Sequence, residues 1–225
     1  MCIRDRALVN FAELYRLTKL KPDSDVLDYG CGLGRLCIPL KPYFQEAGGT
    51  YQGIDTDAGA ISYLKTLHPQ STFSFNHVDI YNKMYNKNGQ TMESVLKEQL
   101  LKRKVDIAFL FSVFTHVLPE DFMALLKFLK SSLKDDGQMC ISFFILNEES
   151  YAGIKAGTSH RKFAHPYKNA KTDTPNVPEG AIAYEESDLF DYFKQCGLIV
   201  EDVSYGKWSG RQDSWHWQDL VVLRR

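Results

Sequence analysis

Net charge is nearly absent from this sequence, which sets 27 lysines and arginines against 28 aspartates and glutamates, or −1 over 225 residues. No global field exists to hold a polyanion, so a nucleic-acid partner is not expected. Cysteine is sparse and scattered. Cys2, Cys31, Cys37, Cys140 and Cys196 form no CxxC pair and stand in no zinc-ligand spacing with histidine, which points to reduced thiols and to no metal. Long apolar runs are missing too: IAFLF at 107–111 falls far short of a membrane span, and the first twenty residues lack a secretory apolar core. A cytoplasmic protein without membrane contact is expected. No internal repeat is present, which excludes a solenoid. The opening MCIRDR resembles an adapter-derived start of translated metagenomic reads, so residues 1–6 are given no weight.

At roughly 150 residues per domain, the length predicts one domain over 1–225 with an elaboration. A composition of 44% hydrophobic and 24% charged residues is that of a globular protein able to bury a core without disulfides. Apolar bursts bounded by Gly, Pro and Asp alternate with helical patterns, the signature of an α/β fold. A helix over 7–20 places Leu8, Phe11, Leu14, Tyr15 and Leu17 on one stripe and stops at Lys21-Pro22. Strands are predicted at 25–29, 51–54, 72–75, 105–111, 138–146, 199–205 and 220–223, and helices at 35–44, 58–67, 92–102, 119–133 and 185–195. Residues 147–183 break the pattern with glycine, proline, lysine and histidine. A connection of this length marks a substrate-side lid or binding element.

The sharpest motif is VLDYGCGLGRL at 26–36, a buried strand ending in an acid, then Gly30, Gly32 and Gly34 at alternate positions before a helix. Glycine lets the backbone approach a ligand closely and take torsions closed to other residues. A dinucleotide fingerprint would need its third glycine at position 35, which is Arg35, and this argues against a nicotinamide-dependent oxidoreductase.

The turn instead resembles motif I of the class I S-adenosylmethionine-dependent methyltransferases. Four further segments share the resemblance: Asp55 in YQGIDTD, Asp79 in FNHVDIY, DIAFLFSVFTHVLP at 106–119, and LKDDGQMCISFF at 133–144. The resemblance implies a Rossmann-like three-layer α/β sandwich with a seven-stranded, mostly parallel sheet in the order 3-2-1-4-5-7-6, the last strand antiparallel. It further implies that Asp28, Gly30, Gly32 and Gly34 frame the methionine part of the cofactor. Asp55 and Thr56 would meet the ribose, Asp79 and Ile80 the adenine, and Phe111 and Ser112 would lie near the transferred methyl.

The activity so implied is methyl transfer to oxygen or nitrogen of a small-molecule acceptor, with RNA methylation or a catalytically silent cofactor-binding module as alternatives. His116 is the candidate general base; its alternative is packing against the cofactor or capping the helix after Pro119. Between Tyr151 and Thr172 the chain carries Lys155, Arg161, Lys162, Lys168 and Lys171 and no acid. This charge suits an anionic or glycan-like acceptor held by Arg161 and His165, or else a solvated loop. Tyr167 and Trp215 are candidate walls of the acceptor pocket, and the aromatic segment 205–217 can equally be core packing.

Overall fold

The computed structural model describes residues 3–68, 72–83, 86–98 and 100–225. Its elements are α1 (Ile3–Leu17), β1 (Asp25–Tyr29), α2 (Cys37–Phe44), β2 (Thr50–Asp55), α3 (Ala58–Leu67), β3 (Phe73–His77), α4 (Met92–Val95) and β4 (Val105–Leu110). They continue as α5 (Pro119–Ser132), β5 (Leu133–Phe143), β6 (Ile145–Leu146), α6 (Glu148–Ala156), β7 (His165–Tyr167), β8 (Ala170–Thr172), β9 (Ile182–Glu185), α7 (Glu186–Gln195), β10 (Ile199–Ser204) and β11 (Asp219–Arg224).

The main sheet runs β3-β2-β1-β4-β5-β11-β10, with β11 antiparallel to both neighbours. This is the order the resemblance implies. Successive residues of its strands serve opposite faces, as the pleat dictates. Leu27, Ala108, Leu110 and Ile141 pack under α5 and α7. Val26, Ile107, Phe109 and Cys140 pack under α1, α2 and α3. Both faces are covered, so the parallel strands are apolar almost throughout. Among the described residues no helix is long and apolar enough to cross a membrane.

Several elements depart from expectation. The first helix begins at Ile3, inside the hexapeptide set aside above, and its predicted stripe is only partly inward: Leu14 is buried, while Leu8 and Tyr15 are 58% and 57% exposed. The helix expected over 92–102 is the single turn α4. Side chains on the strands capture the backbone that would have extended it, because Asn76 donates to the Leu100 carbonyl (2.6 Å) and Gln52 Oε1 accepts from Lys102 N (2.9 Å). Asp135-Asp136-Gly137 does not separate helix from strand, since β5 already starts at Leu133. There Lys134 bridges Asp25 and Asp106 at 3.0 and 2.9 Å, tying the amino-terminal ends of β1 and β4 to β5.

The largest difference lies in 147–183. Four more strands, β6 split from the end of the predicted strand 138–146 and β7, β8 and β9 within or at the end of this segment, raise the total among the described residues to eleven. They form a second sheet, β6-β9-β8-β7, beside α6. Phe144, Phe163 and Trp208 make a small separate core beneath it. The two sheets meet at Asp219, fully buried on β11, whose carboxylate accepts from Ile145 N (2.6 Å), Gly206 N (2.7 Å) and Trp208 Nε1 (2.7 Å). Asp219→Ala leaves these three donors buried and unpaired. Unfolding in urea is expected to show a loss of about 3–6 kcal/mol; a loss under ~1 kcal/mol would remove Asp219 as the joint between the sheets.

Candidate functional site

The turn after β1 is built from three glycines with positive φ, two of which also lack room for a Cβ. A Cβ on Gly30 (φ 83°) would sit 2.4 Å from Val113 Cγ2, and one on Gly34 (φ 70°) 2.5 Å from Leu64 Cδ2. Gly32 (φ 51°) has open space where its Cβ would be, so only its torsion and the bareness of the backbone require glycine. The end of β2 holds this turn. The Ile54 carbonyl accepts from both Gly30 N (2.7 Å) and Cys31 N (3.0 Å), and Asp55 Oδ2 accepts from Gly32 N (2.6 Å). Asp55 Oδ1 accepts from Asp57 N (2.9 Å), and Asp57 caps α3 through Ala60 N (2.9 Å).

This turn forms one wall of a cavity of about 960 Å³ at the carboxyl ends of the parallel strands. Ligand pockets commonly measure roughly 300–1,000 Å³, so the space is at the upper end and suits two reactants. Gly30, Gly32, Asp55, Thr56, Asp79, Ile80, Phe111, Ser112 and His116 all reach its wall, four separate stretches of sequence brought together. Asp79 accepts from Asn86 Nδ2 (2.9 Å). Ser112 takes a positive φ of 62°, rare for a residue with a Cβ. Its N donates to Ser142 Oγ (2.7 Å) and its hydroxyl to Gln218 Oε1 (2.9 Å).

Asp28 and Gly34 are placed behind this wall and not on it. Gly34 packs against α3. Asp28 is buried and accepts from the Tyr51 hydroxyl (2.6 Å). Burial pushes its carboxyl up to about 7, against the lowering effect of the Tyr51 hydrogen bond.

His116 is held by the second sheet. Its Nδ1 lies 2.6 Å from the Glu179 carbonyl oxygen, which can only accept, so Nδ1 carries the hydrogen and a neutral ring bears its lone pair on Nε2. Burial lowers the ring's pKa, which favours that neutral form. Ile182 N donates to the Thr115 carbonyl (2.9 Å) and the Tyr184 hydroxyl to that of Val117 (2.7 Å), so residues 179–184 strap the loop that carries His116.

None of the four predicted acceptor residues reaches the wall. Arg161 pairs with Asp173 (3.5 Å), and His165 and Trp215 are exposed, Trp215 at 83%. Tyr167 comes nearest, donating to Glu120 (3.1 Å), which does line the cavity. Three of the five basic residues in the loop are matched by acids from outside it: Arg161 by Asp173, Lys168 by Glu120, and Lys171 by Glu185. Of the aromatic segment, Trp208 is core and His216 is buried between Asn10 and Gln218. Sequence reasoning missed Tyr29, Asp121 and Glu179 on the wall. Tyr29 sits inside the glycine motif and was there to be read. Glu179 arrives only through the pairing of β6 with β9, which no local pattern announces.

A family model described as a methyltransferase domain matches residues 3–175. Among solved structures, the magnesium protoporphyrin IX methyltransferase of Synechocystis, crystallised with bound S-adenosylhomocysteine, is 18% identical. Its TM-score is 0.59 over 99% of this chain and 83% of that one. An S-adenosylmethionine-dependent methyltransferase from Mesorhizobium loti is 13% identical, with a TM-score of 0.63 over 96% and 98%. The 1,6-didemethyltoxoflavin-N1-methyltransferase of Burkholderia thailandensis is 15% identical, with a TM-score of 0.56 over 99% and 77%. At these identities the likeness is one of fold.

The buried Asp28 has a consequence for stability. Its folded pKa lies above the ordinary 3.8, so the folded state binds the extra proton and stability falls as pH rises from about 4 to about 7. Asp28→Asn keeps an acceptor for Tyr51 and carries no charge. Melting curves are expected to show the variant gaining on the order of 2–4 kcal/mol over the parent at pH 8 and nothing near pH 4. An equal difference at both pH values would exclude titration of Asp28 as the cause.

Proposed function

This chain belongs to the methyltransferase-domain family, and from that premise we propose that it transfers a methyl group from S-adenosylmethionine to an oxygen or nitrogen of a small-molecule acceptor. The observation that carries the reading is a single cavity on which a bare glycine turn, two strand-end acids and a histidine of fixed tautomer converge. A Cβ would find room at Gly32 but not the torsion, so the wall there is main chain alone, which suits close approach by a ligand. Two of the buried polar atoms without a hydrogen-bond partner among the described residues, the Tyr29 hydroxyl and Glu179 Oε2, belong to residues of this same wall. Both facts fit a cavity shaped for an occupant.

In the proposed complex Gly30 and Gly32 lie along the methionine end, with Asp28 and Gly34 shaping the turn from behind. Asp55 and Thr56 face the ribose, and Asp79 and Ile80 the adenine. Asp55 already accepts two backbone N–H groups and keeps lone pairs for hydroxyl donors. When bound, S-adenosylmethionine supplies an activated methyl on sulfonium, so the protein's main task is to align an acceptor lone pair with that carbon. Phe111 and Ser112 set the floor beside it. His116, neutral and with its lone pair on Nε2, accepts the acceptor's proton as general base. The segment 147–183 supplies the acceptor side and excludes water; Arg161, His165, Tyr167 and Trp215 border its approach rather than its base. The magnesium protoporphyrin and didemethyltoxoflavin enzymes act on small molecules by their names, which supports an acceptor of that size here.

Mass spectrometry of the freshly purified protein is expected to find S-adenosylhomocysteine, and calorimetric titration to measure its affinity. Asp55→Ala is expected to weaken that affinity by about 1–3 kcal/mol, because ribose hydroxyls lose a charged acceptor. Unchanged affinity would remove the assigned role. His116→Ala is expected to leave cofactor affinity nearly intact and to lower turnover by roughly 10²–10⁴-fold. A variant that loses cofactor affinity instead would make His116 a packing residue.

A further inference from the structure

The charge of the cavity wall is one-sided. Among the described residues it carries Asp55, Asp57, Asp79, Glu120, Asp121 and Glu179 against the lone cation Arg35. The first three stand at the ends of β2 and β3, on the proposed cofactor side, and Asp55, Asp57 and Asp79 have donors already described. The last three stand with His116. Glu120 is answered by Lys168 (2.9 Å) and by the Tyr167 hydroxyl. Asp121 and Glu179 are not so answered. Asp121 is half-buried in the first turn of α5, where burial and the charge of Glu120 raise its pKa. Glu179 is 7% exposed, and its Oε2 has no hydrogen-bond partner among the described residues.

A carboxylate oxygen withdrawn from water without a donor is costly, so an occupant that brings charged N–H donors is favoured over one that brings acceptors. Of the basic residues of 151–172, three are matched by Asp173, Glu120 and Glu185, and none stands on the wall, although the charge of Lys168 reaches Asp121 and that of Arg161 reaches His116. On the wall itself an anionic acceptor would meet the unpaired oxygen of Glu179 and the half-buried Asp121, with Arg35 as the lone wall cation among the described residues.

Building on the methyl-transfer reading above, we propose that the acceptor is a small amine, held as its ammonium by Glu179 and Asp121 and methylated on that nitrogen. His116 Nε2 takes one N–H proton, which restores the nitrogen lone pair. The new N–C bond forms from that pair, and the pair of the broken C–S bond stays on sulfur. The proton left on His116 passes to solvent when the product leaves. Specificity on this account is a matter of charge as much as of shape, because removal of Glu179's charge leaves the cavity's volume nearly unchanged.

The test uses the full chain, tritiated S-adenosylmethionine and a bacterial small-metabolite extract split on ion-exchange resins into cationic, anionic and neutral pools. Methyl incorporation is expected in the cationic pool. Incorporation confined to the anionic or neutral pool, or in none while S-adenosylhomocysteine still binds, would overturn the amine proposal and leave the cofactor reading standing. Absence of S-adenosylhomocysteine binding would instead overturn the cofactor reading itself. With the responsive cationic fraction as substrate, Glu179→Gln is expected to raise KM by about 10- to 100-fold, with S-adenosylhomocysteine affinity unchanged as the control for folding. An unaltered KM in Glu179→Gln and also in Asp121→Asn would exclude both carboxylates from acceptor binding.

Discussion

Three backbone N–H groups of the glycine turn, those of Gly30, Cys31 and Gly32, end on two acceptors at the tip of β2, the Ile54 carbonyl and the Asp55 carboxylate. The proposed cofactor side of the cavity is built on that attachment. Glycine makes the torsions affordable at 30, 32 and 34, but torsional freedom alone leaves a turn undefined. The hydrogen bonds select one conformation, and the selection comes from a neighbouring parallel strand whose register with β1 is fixed along five residue pairs. Asp55 thereby has a structural duty independent of any ligand, and its proposed role toward ribose draws on the lone pairs that remain.

The net charge of −1 hides a strong internal separation. Acids gather on the cavity wall, while basic residues of the 151–172 loop sit outside and face acids of their own. A neutral total therefore says nothing about the field inside the cavity, where a low dielectric magnifies what few charges remain. The same burial raises Asp28 and Asp219 toward neutrality, to about 7 and about 6, outweighing the lowering effect of Arg35 on the first and of Arg211 on the second.

Sequence alone revealed the main sheet because β1, β2, β4 and β11 are short, largely apolar runs bounded by breakers, and because the helices between strands bury one face. The proposed cofactor side was legible for the same reason: Asp55 is the last residue of β2, and Asp79 and Ser112 stand two residues beyond β3 and β4, where the sheet itself dictates position. The acceptor side was not. Positive charge between 155 and 171 is visible in the chain, but the acids that match it, Glu120, Asp173 and Glu185, lie beyond that stretch. The second sheet was hidden because its strands run two to four residues, too few for a period of two to register. Helix α4 was overestimated because Asn76 and Gln52, remote in sequence, claim the backbone that periodicity assigned to it.

The two halves of the cavity are built by different physics, and this bears on how acceptor choice can change. The proposed cofactor half consists of main-chain turns fixed by the parallel sheet, where a single added Cβ at Gly30 collides with Val113. The proposed acceptor half hangs on the strap from Glu179 to Tyr184, which holds the His116 loop through three hydrogen bonds accepted by backbone carbonyls, one from a backbone N–H, one from the ring N–H and one from the Tyr184 hydroxyl. Those backbone bonds do not depend on which side chain stands at 179. The histidine can thus keep its tautomer and place while the charge at 179 varies, and the proposed base is separated from the proposed determinant of specificity although both sit on one contact. On the proposed assignment, substitution at 179 or 121 acts on acceptor entry and substitution at 32 or 55 on cofactor affinity, while the Asp219 joint ties the second sheet to the first independently of either.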